Sequence, residues 1–268
     1  MESEAARSGQ SRPVARQTPL EKTFAVLEFV AEQGGATVQE VSNRLGYPVP
    51  TVYRLAQSLV RAEYLIHLKD QGRFELGYKP HRLAISLHRQ VGVPAVVKLA
   101  VQELYRRANL AAYFAVYRGA DVVVAHICDS PARPRLEPLT FGFHEAAHAT
   151  AFGKIMLAGM SEDQRDQYLS AHGMPPIQAT TITDRGELEA HLRAVMLDGI
   201  AWEHEEFVQG KTCAAVGVRN GIGMVIGSVA VSADSRLVQG PQREHEIENL
   251  LRETANEVSR YYRTGSAG

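Results

Sequence analysis

The sequence predicts an α+β protein, with an N-terminal winged helix-turn-helix followed by a larger C-terminal domain built on an antiparallel sheet. Residues 18–79 show helical apolar spacing in three short segments and then a hairpin pattern. Beyond residue 94, strand-like runs are grouped around short turns and separated by helical segments, which is typical of helices packed on a sheet. The 268 residues are enough for two domains with separate cores.

Composition limits the classes of protein that fit. The chain is 45% hydrophobic and 22% charged, as expected for a soluble globular protein, and its apolar runs, such as 122–128, are too short to span a membrane. Residues 1–17 are polar and predict a disordered arm, and without an apolar leader we expect a cytoplasmic location. Two cysteines, Cys128 and Cys213, cannot form a disulfide framework, and no cofactor is predicted.

Three helices are predicted in the N-terminal domain. Thr18 caps the first helix and Pro19 begins it. Its apolar stripe runs through Leu20, Phe24, Leu27 and Val30 or Ala31. Thr37 caps the second helix and forms a capping box with Glu40. Val41 and Leu45 form the stripe of that helix, which ends at Gly46.

The third helix begins near Pro50 and has two distinct faces. Its predicted buried stripe consists of Val52, Leu55, Leu59 and Ala62. Its opposite face carries hydrogen-bonding side chains, namely Thr51, Tyr53, Arg54 and Gln57. Two helices joined by a tight glycine-containing turn predict a helix-turn-helix, whose second helix enters the major groove of DNA.

A predicted wing follows the third helix. Segments 64–68 and 73–77 alternate in polarity around the turn 69–72, with Lys69 and Arg73 expected at the tip, where cations contact phosphate or the minor groove. Residues 1–90 carry 12 Lys and Arg against 9 Asp and Glu, a net charge of +3, and the remaining residues carry −4. The segment 41–62 holds three arginines, Arg44 included, and no acid. A helical bundle with a hairpin and no DNA role is the alternative interpretation.

The rest of the chain divides into a linker helix and a sheet domain. Residues 81–91 have helical periodicity, and the predicted domains are 18–79, the linker helix 80–93 and 94–264. A helix starts at Pro94. The strands are predicted at 111–118, 122–128, 212–219 and 224–232, and the later helices at 149–158, 161–171 and 185–197 and through 247–258.

Several motifs resemble the IclR family of bacterial transcriptional regulators. TVQEVSNRLGYPVPTVYRLAQSLVRAEYL and GRFELG are similar to the winged helix of that family. HATAFGKIMLA, GIAWEHEEFVQGKTCAAVGV and MVIGSVAVSA are similar to its effector domain, which resembles the GAF fold. The resemblance runs from Pro19 to Tyr262. Pro50 stands where the family has a polar residue, and Glu63 replaces a glycine after the third helix.

The resemblance implies a regulator that binds a pseudo-palindromic double-stranded operator as a dimer or a dimer of dimers. The residues expected at DNA are Arg44, Pro50, Thr51, Tyr53, Arg54, Gln57, Lys69 and Arg73. The resemblance also implies a small-molecule effector, an organic acid or aromatic metabolite. The residues expected at this effector are Thr150, Ala151, Phe152, Glu203, Cys213, Ala230 and Ser232. A helix start presents free amides and partial positive charge, which suit a carboxylate, whereas Glu203 would have to be protonated or turned aside.

The segment HEAAH raises the alternative of a zinc hydrolase. On a helix, His144 and His148 would share a face and Glu145 would activate water. However, the helix is predicted to start near residue 148, and the extended pattern with a third histidine is missing. We therefore predict no metal site and no enzyme. Two further points stay open: Lys154 is either an anion clamp or a solvated lysine, and the second domain could serve assembly alone.

Overall fold

The computed structural model describes residues 17–264. The predicted disordered arm therefore lies outside the described residues, except for Gln17. The chain divides into two units between Gln90 and Val91. Both combine helices with antiparallel strands, so the predicted α+β class is confirmed. Within residues 17–264, no helix has the length and apolar character needed to cross a bilayer.

The first unit has the predicted winged helix-turn-helix order. Its elements are α1 (Pro19–Glu32), β1 (Ala36–Thr37), α2 (Val38–Leu45), α3 (Val49–Arg61), β2 (Leu65–Leu68), β3 (Arg73–Leu76) and α4 (Lys79–Val91). Both predicted N-caps are present. The Thr37 hydroxyl accepts from the Glu40 amide, and the Glu40 carboxylate accepts from the Thr37 amide, which satisfies two of the free donors at the helix start. Thr18 and Glu21 form a second such box.

The predicted buried stripe of α1 is wrong in part. Leu20 and Phe24 are 63% and 49% exposed, whereas Val26 and Val30 are buried in the core of this unit. Residues four apart on a helix share a face, so Val26 and Val30 mark the side that meets the other helices. Leu20 and Phe24 are consequently left on the outer side of α1, whereas Leu27 packs against the core.

The wing has a third strand that the sequence did not predict. β1 pairs with β3, so the wing sheet has the order β1-β3-β2. A two-residue strand leaves no periodic signal in the sequence. Glu63, which follows α3, adopts a left-handed φ of 64° although it is not glycine. The turn is closed by the Tyr64 amide, which donates to the Leu59 carbonyl over 2.9 Å.

The second unit is a five-stranded antiparallel sheet with helices on both faces. Its elements are α5 (Ala95–Ala108), β4 (Ala111–Arg118), β5 (Asp121–Cys128), α6 (Ala151–Gly159), α7 (Glu162–His172), α8 (Arg185–Asp198), β6 (Ile200–His204), β7 (Lys211–Arg219), β8 (Val225–Asp234) and α9 (Pro241–Thr264). The strand order is β5-β4-β8-β7-β6. β6 was not predicted, because its short sequence IAWEH contains two charged or polar residues and lacks the apolar run of the other strands.

The two faces of the sheet carry separate cores. One core lies between the sheet and α5 and α9, and the other lies between the sheet and α6, α7 and α8. Alternate residues of β7 enter opposite cores: Cys213 and Ala215 face α6, while Ala214 and Val216 face α9. Burial on both faces explains why these strands read as nearly continuous apolar runs.

Candidate functional site

The outer face of α3 is polar and accessible. Tyr53 and Arg54 are exposed on it, and Thr51 and Gln57 are half-buried. Val52 and Leu55, on the opposite side, are buried in the core of the first unit. Pro50 and, at the end of α2, Arg44 are also exposed. The residues of α2 and α3 that were expected at DNA are therefore all at least partly accessible on the surface of these two helices. In addition, α3 contains no aspartate or glutamate that would repel phosphate.

The two cations expected at the wing tip lie in different surroundings. Lys69 is exposed in the short 3-10 turn that joins β2 to β3. Arg73 is half-buried at the start of β3, where its guanidinium donates to the Gly34 carbonyl over 3.1 Å and lies 3.5 Å from the Glu75 carboxylate. Arg73 thus connects β3 to the turn after α1, and its role at DNA stays a prediction.

Three of the expected effector residues lie side by side across the sheet. Glu203 of β6 is opposite Cys213 of β7, which is opposite Ser232 of β8. Directly opposed residues in an antiparallel sheet point to the same face. Ala230 lies in the neighbouring row, opposite Ala215, and the same face packs against α6. Spacing along the sequence gave no indication of this row, since it depends on strand register.

The remaining expected effector residues form the start of α6. Thr150 has an extended backbone, with φ −116° and ψ 143°, and Ala151 and Phe152 begin the helix. All three are buried, and Ala151 and Phe152 belong to the same core as Cys213 and Ala230. The Thr150 hydroxyl is buried and has no hydrogen-bond partner within residues 17–264. The structure therefore joins this helix start to the row of side chains on the sheet.

Glu203 is held by the loop that follows β6. One carboxylate oxygen accepts hydrogen bonds from the amides of Glu206 and Phe207, the second over 3.1 Å. The other oxygen is buried and has no partner among the described residues. Burial raises the pKa of Glu203 above its usual value, although the thiol of Cys213 and the two amides oppose that shift. The carboxyl is thus turned toward its own loop, and its burial makes ionisation harder than in water.

Replacing Glu203 by glutamine is expected to stabilise the fold at neutral pH. Because the pKa of Glu203 is raised in the folded state, the unfolded chain releases this proton first as pH rises above about 4.5, and stability falls. Glutamine cannot ionise, so that loss should disappear in Glu203→Gln. Denaturant unfolding from pH 4 to pH 8 measures the difference between the two proteins. A gain that is largest at pH 4 would contradict this explanation.

A buried ion pair, which the sequence interpretation missed, lies beside this site. Lys154 of α6 is fully buried, and its ammonium donates to the carboxylate of Glu206. The interpretation of Lys154 as a solvated lysine is therefore wrong, and its ammonium is paired with a carboxylate of the protein itself. The sequence contains a signal for burial, because AFGKIMLAG is apolar on all sides of the helix apart from this lysine.

Tyr113 is a further site residue that the sequence interpretation did not identify. Its hydroxyl lies 2.7 Å from the hydroxyl of Ser232 and accepts a hydrogen bond from the Leu136 amide over 2.9 Å. Burial raises the pKa of Tyr113. Ser232 is therefore already hydrogen-bonded within the protein. The alternation of β4 places Tyr113 on the α6 side, but only the pairing of β4 with β8 brings it to Ser232.

The HEAAH segment does not have the geometry of a zinc protease. Residues 147–149 form a single 3-10 turn before α6, so His144 and His148 do not share a helix face. His148 is buried, with Nε2 3.1 Å from the Pro175 carbonyl oxygen, and His144 is exposed. Burial lowers the pKa of His148. Among the described residues, no group of three or more histidine, cysteine or acidic side chains could hold a metal ion.

Comparisons with known proteins agree with this architecture. A family model described as the C-terminal domain of bacterial transcriptional regulator IclR matches residues 86–260, and the IclR helix-turn-helix model matches residues 19–67. The HTH-type transcriptional repressor AllR of Escherichia coli K12 is 25% identical over 258 residues, 94% of each chain. The crystal structure of the Thermotoga maritima IclR has a TM-score of 0.74 at 23% identity, covering 91% of this chain and 98% of that chain. An IclR homologue from Microbacterium hydrocarbonoxydans, complexed with 4-hydroxybenzoate, has a TM-score of 0.70 at 21% identity, with 91% and 98% covered.

Proposed function

The chain belongs to the IclR family of bacterial transcriptional regulators, and from this premise we propose how it binds DNA and what it senses. Members of the family are DNA-binding regulators with an effector-binding domain, and they are not enzymes. The hydrolase alternative has no support. α3 lies in the major groove of an operator, the turn carrying Lys69 contacts the backbone, and a small organic acid at the start of α6 controls that binding.

The polar face of α3 supports the proposed DNA contact. Arg54 is exposed, and its planar guanidinium suits bidentate contact with guanine. Thr51 and Gln57 are hydrogen-bonding neighbours on the same helix. Lys69 supplies charge that attracts phosphate whatever the sequence, so that this part of the affinity falls with added salt. Arg44, at the end of α2, and Pro50, in the first turn of α3, are exposed and are proposed to lie against flanking phosphates. Arg73 is proposed to contact a phosphate once its guanidinium has released the Gly34 carbonyl.

Replacing Arg54 by alanine is expected to weaken operator binding by about 1–3 kcal/mol, because one guanidinium contact to a base edge is lost. The measurement is fluorescence anisotropy with a duplex that the wild-type protein has selected from a random pool. Arg236→Ala, at a largely exposed arginine of the second unit, is the matched control and should bind normally. Unchanged affinity in Arg54→Ala would contradict the proposed placement of α3 in the major groove of the operator.

The start of α6 supports an organic acid as the effector. Free amides at residues 151 and 152 and the helix dipole favour a carboxylate there. The surrounding side chains are apolar, with Phe152 and Ala230 among them, and suit a compact or aromatic body. The homologue complexed with 4-hydroxybenzoate, which shares the fold, is consistent with this class of ligand. Glu203, Cys213, Ser232 and Thr150 are proposed to complete the site.

A matched pair of ligands tests the proposed effector class. 4-Hydroxybenzoate and its amide differ in charge but hardly in shape, so an anion seat at α6 should bind the acid alone. The acid should raise the melting temperature by mass action and change the affinity for the selected duplex, whereas the amide should do neither. Equal stabilisation by both compounds would contradict the anion seat. If no carboxylic acid in a wider panel stabilises the protein, assembly is the better function for the second domain.

Self-association is proposed because two apolar helix faces are left exposed. α4 is amphipathic and has no buried residue, with Leu83 and Ile85 exposed. Leu20 and Phe24 of α1 are exposed as well. A second copy that covers these faces would pair two α3 helices on a pseudo-palindromic operator. Analytical ultracentrifugation tests this proposal, and a monomer at all concentrations would oppose it.

The proposed effector acts by favouring one spacing of the paired α3 helices. Switching the operator from mostly bound to mostly free needs roughly 3–5 kcal/mol of differential affinity between the two arrangements. Repression and activation are both compatible with this scheme. The protein is proposed to act in the cytoplasm, where bacterial DNA lies.

A further inference from the structure

Three aromatic rings join the recognition helix α3 to the wing. His67 of β2 and Phe74 of β3 are directly opposed in the wing sheet, and their rings are stacked with centroids 4.3 Å apart. Tyr53 of α3 meets both rings edge-on, with each centroid distance 6.5 Å and interplanar angles of 81° and 74°. Edge-to-face and stacked arrangements of this kind are favourable for aromatic rings.

Phe74 anchors this group in the first unit. It is buried in the same core as Val52 and Leu55 of α3. Tyr53 is 48% exposed, and its ring contacts the rings of His67 and Phe74. The ring of Tyr53 therefore links α3 to both strands of the wing hairpin, β2 and β3.

On the basis of the proposed function, we infer that Tyr53 is a positioning residue: its ring holds the wing so that Lys69 reaches the DNA backbone while α3 lies in the groove. This assigns Tyr53 a role different from the base or phosphate contact that its place on the polar face of α3 predicts. DNA binding therefore requires the ring of Tyr53 but not its hydroxyl.

The experiment separates the ring from the hydroxyl. With the duplex selected by the wild-type protein, Tyr53→Phe should bind within about twofold of wild type, whereas Tyr53→Ala should lose on the order of tenfold in affinity. His67→Ala, which removes the wing side of the contact, should lose a similar factor. Thermal unfolding of both alanine variants is followed in parallel. Equal losses in Tyr53→Phe and Tyr53→Ala would overturn the inference, because the hydroxyl would then contact DNA.

Combination with Lys69→Ala gives a readout that a merely structural role would not move. In the wild-type background, Lys69→Ala should reduce the salt dependence of binding by about one phosphate contact. In the Tyr53→Ala background it should have no further effect, because the wing is already misplaced. Gln57→Ala, one turn further along α3, should combine additively with Lys69→Ala. Additive losses in the Tyr53→Ala, Lys69→Ala double variant would overturn the inference.

A failure of the proposed function has a different signature. In that case the wild-type protein selects no sequence from the random pool, and no variant changes binding. If the wild-type protein selects a sequence but Tyr53→Ala binds it normally, the regulator function stands and the positioning role of Tyr53 is overturned.

Discussion

Lys154→Met is expected to destabilise the second unit by about 3–5 kcal/mol. The substitution removes the ammonium and leaves the Glu206 carboxylate buried without its cation. The buried carboxyl of Glu203 lies close by, since it accepts a hydrogen bond from the Glu206 amide. An uncompensated buried charge costs far more than the net worth of the pair it came from. Methionine has nearly the length of the lysine stem, so lost packing contributes little. The expected loss is a large fraction of the stability of an ordinary domain.

The chain provides a convenient probe for this measurement. Trp202, the single tryptophan, lies on β6, four residues before Glu206, and its fluorescence reports unfolding of the second unit. Glu206→Leu alone should be similarly destabilised, because it leaves the ammonium without its carboxylate. The double variant should recover much of the loss, since neither charge is then buried alone. Lys98→Met, at an exposed lysine of α5, should change stability by less than about 0.5 kcal/mol. If the stability losses of Lys154→Met and Glu206→Leu simply add in the double variant, the proposed coupling between the two charges is contradicted.

Gly153→Ala is the second substitution with a large expected effect. It should lower the free energy of unfolding by a net amount of about 2 kcal/mol and also weaken the response to the effector. A Cβ at this position would lie 2.3 Å from the Ala147 carbonyl oxygen and 2.6 Å from the Thr150 hydroxyl. In an open helix alanine would be better than glycine by up to about 1 kcal/mol. Here we expect overpacking to outweigh helix propensity, because overfilled sites cost roughly 1–3 kcal/mol and the two nearest atoms are backbone atoms of Ala147.

The consequence reaches the proposed effector site, since the same turn positions the first amides of α6. Gly153→Ala should therefore lower both the melting temperature and the response to 4-hydroxybenzoate, if the wild-type protein responds to it. The matched control is Gly221→Ala, in the turn between β7 and β8, where a Cβ would have no atom within 4 Å. A melting temperature for Gly153→Ala equal to or above that of wild type would show that the turn yields easily.

Local signals in the sequence were enough to find most of the elements. N-caps at Thr18 and Thr37, glycine at the end of α2 and the continuous apolar runs of β4 and β5 all act within a few residues of one another. Each can therefore be recognised without any knowledge of the fold. The helix-turn-helix, the wing and the antiparallel sheet follow from these signals, and motif resemblance identified the family.

The tertiary structure decided which side of each element is used. α1 has two apolar faces, and packing against α3 selected Val26 and Val30 over Leu20 and Phe24. Arg73 was expected at an exposed tip, but pairing of β3 with β1 places its guanidinium at the Gly34 carbonyl. Similarly, Lys154 finds its carboxylate 52 residues further along the chain, and Glu203, Cys213 and Ser232 form a row through strand register alone. The physical reason is one of range: caps and periodicity depend on near neighbours, whereas ion pairs, cross-strand rows and the choice of buried face depend on segments distant in sequence.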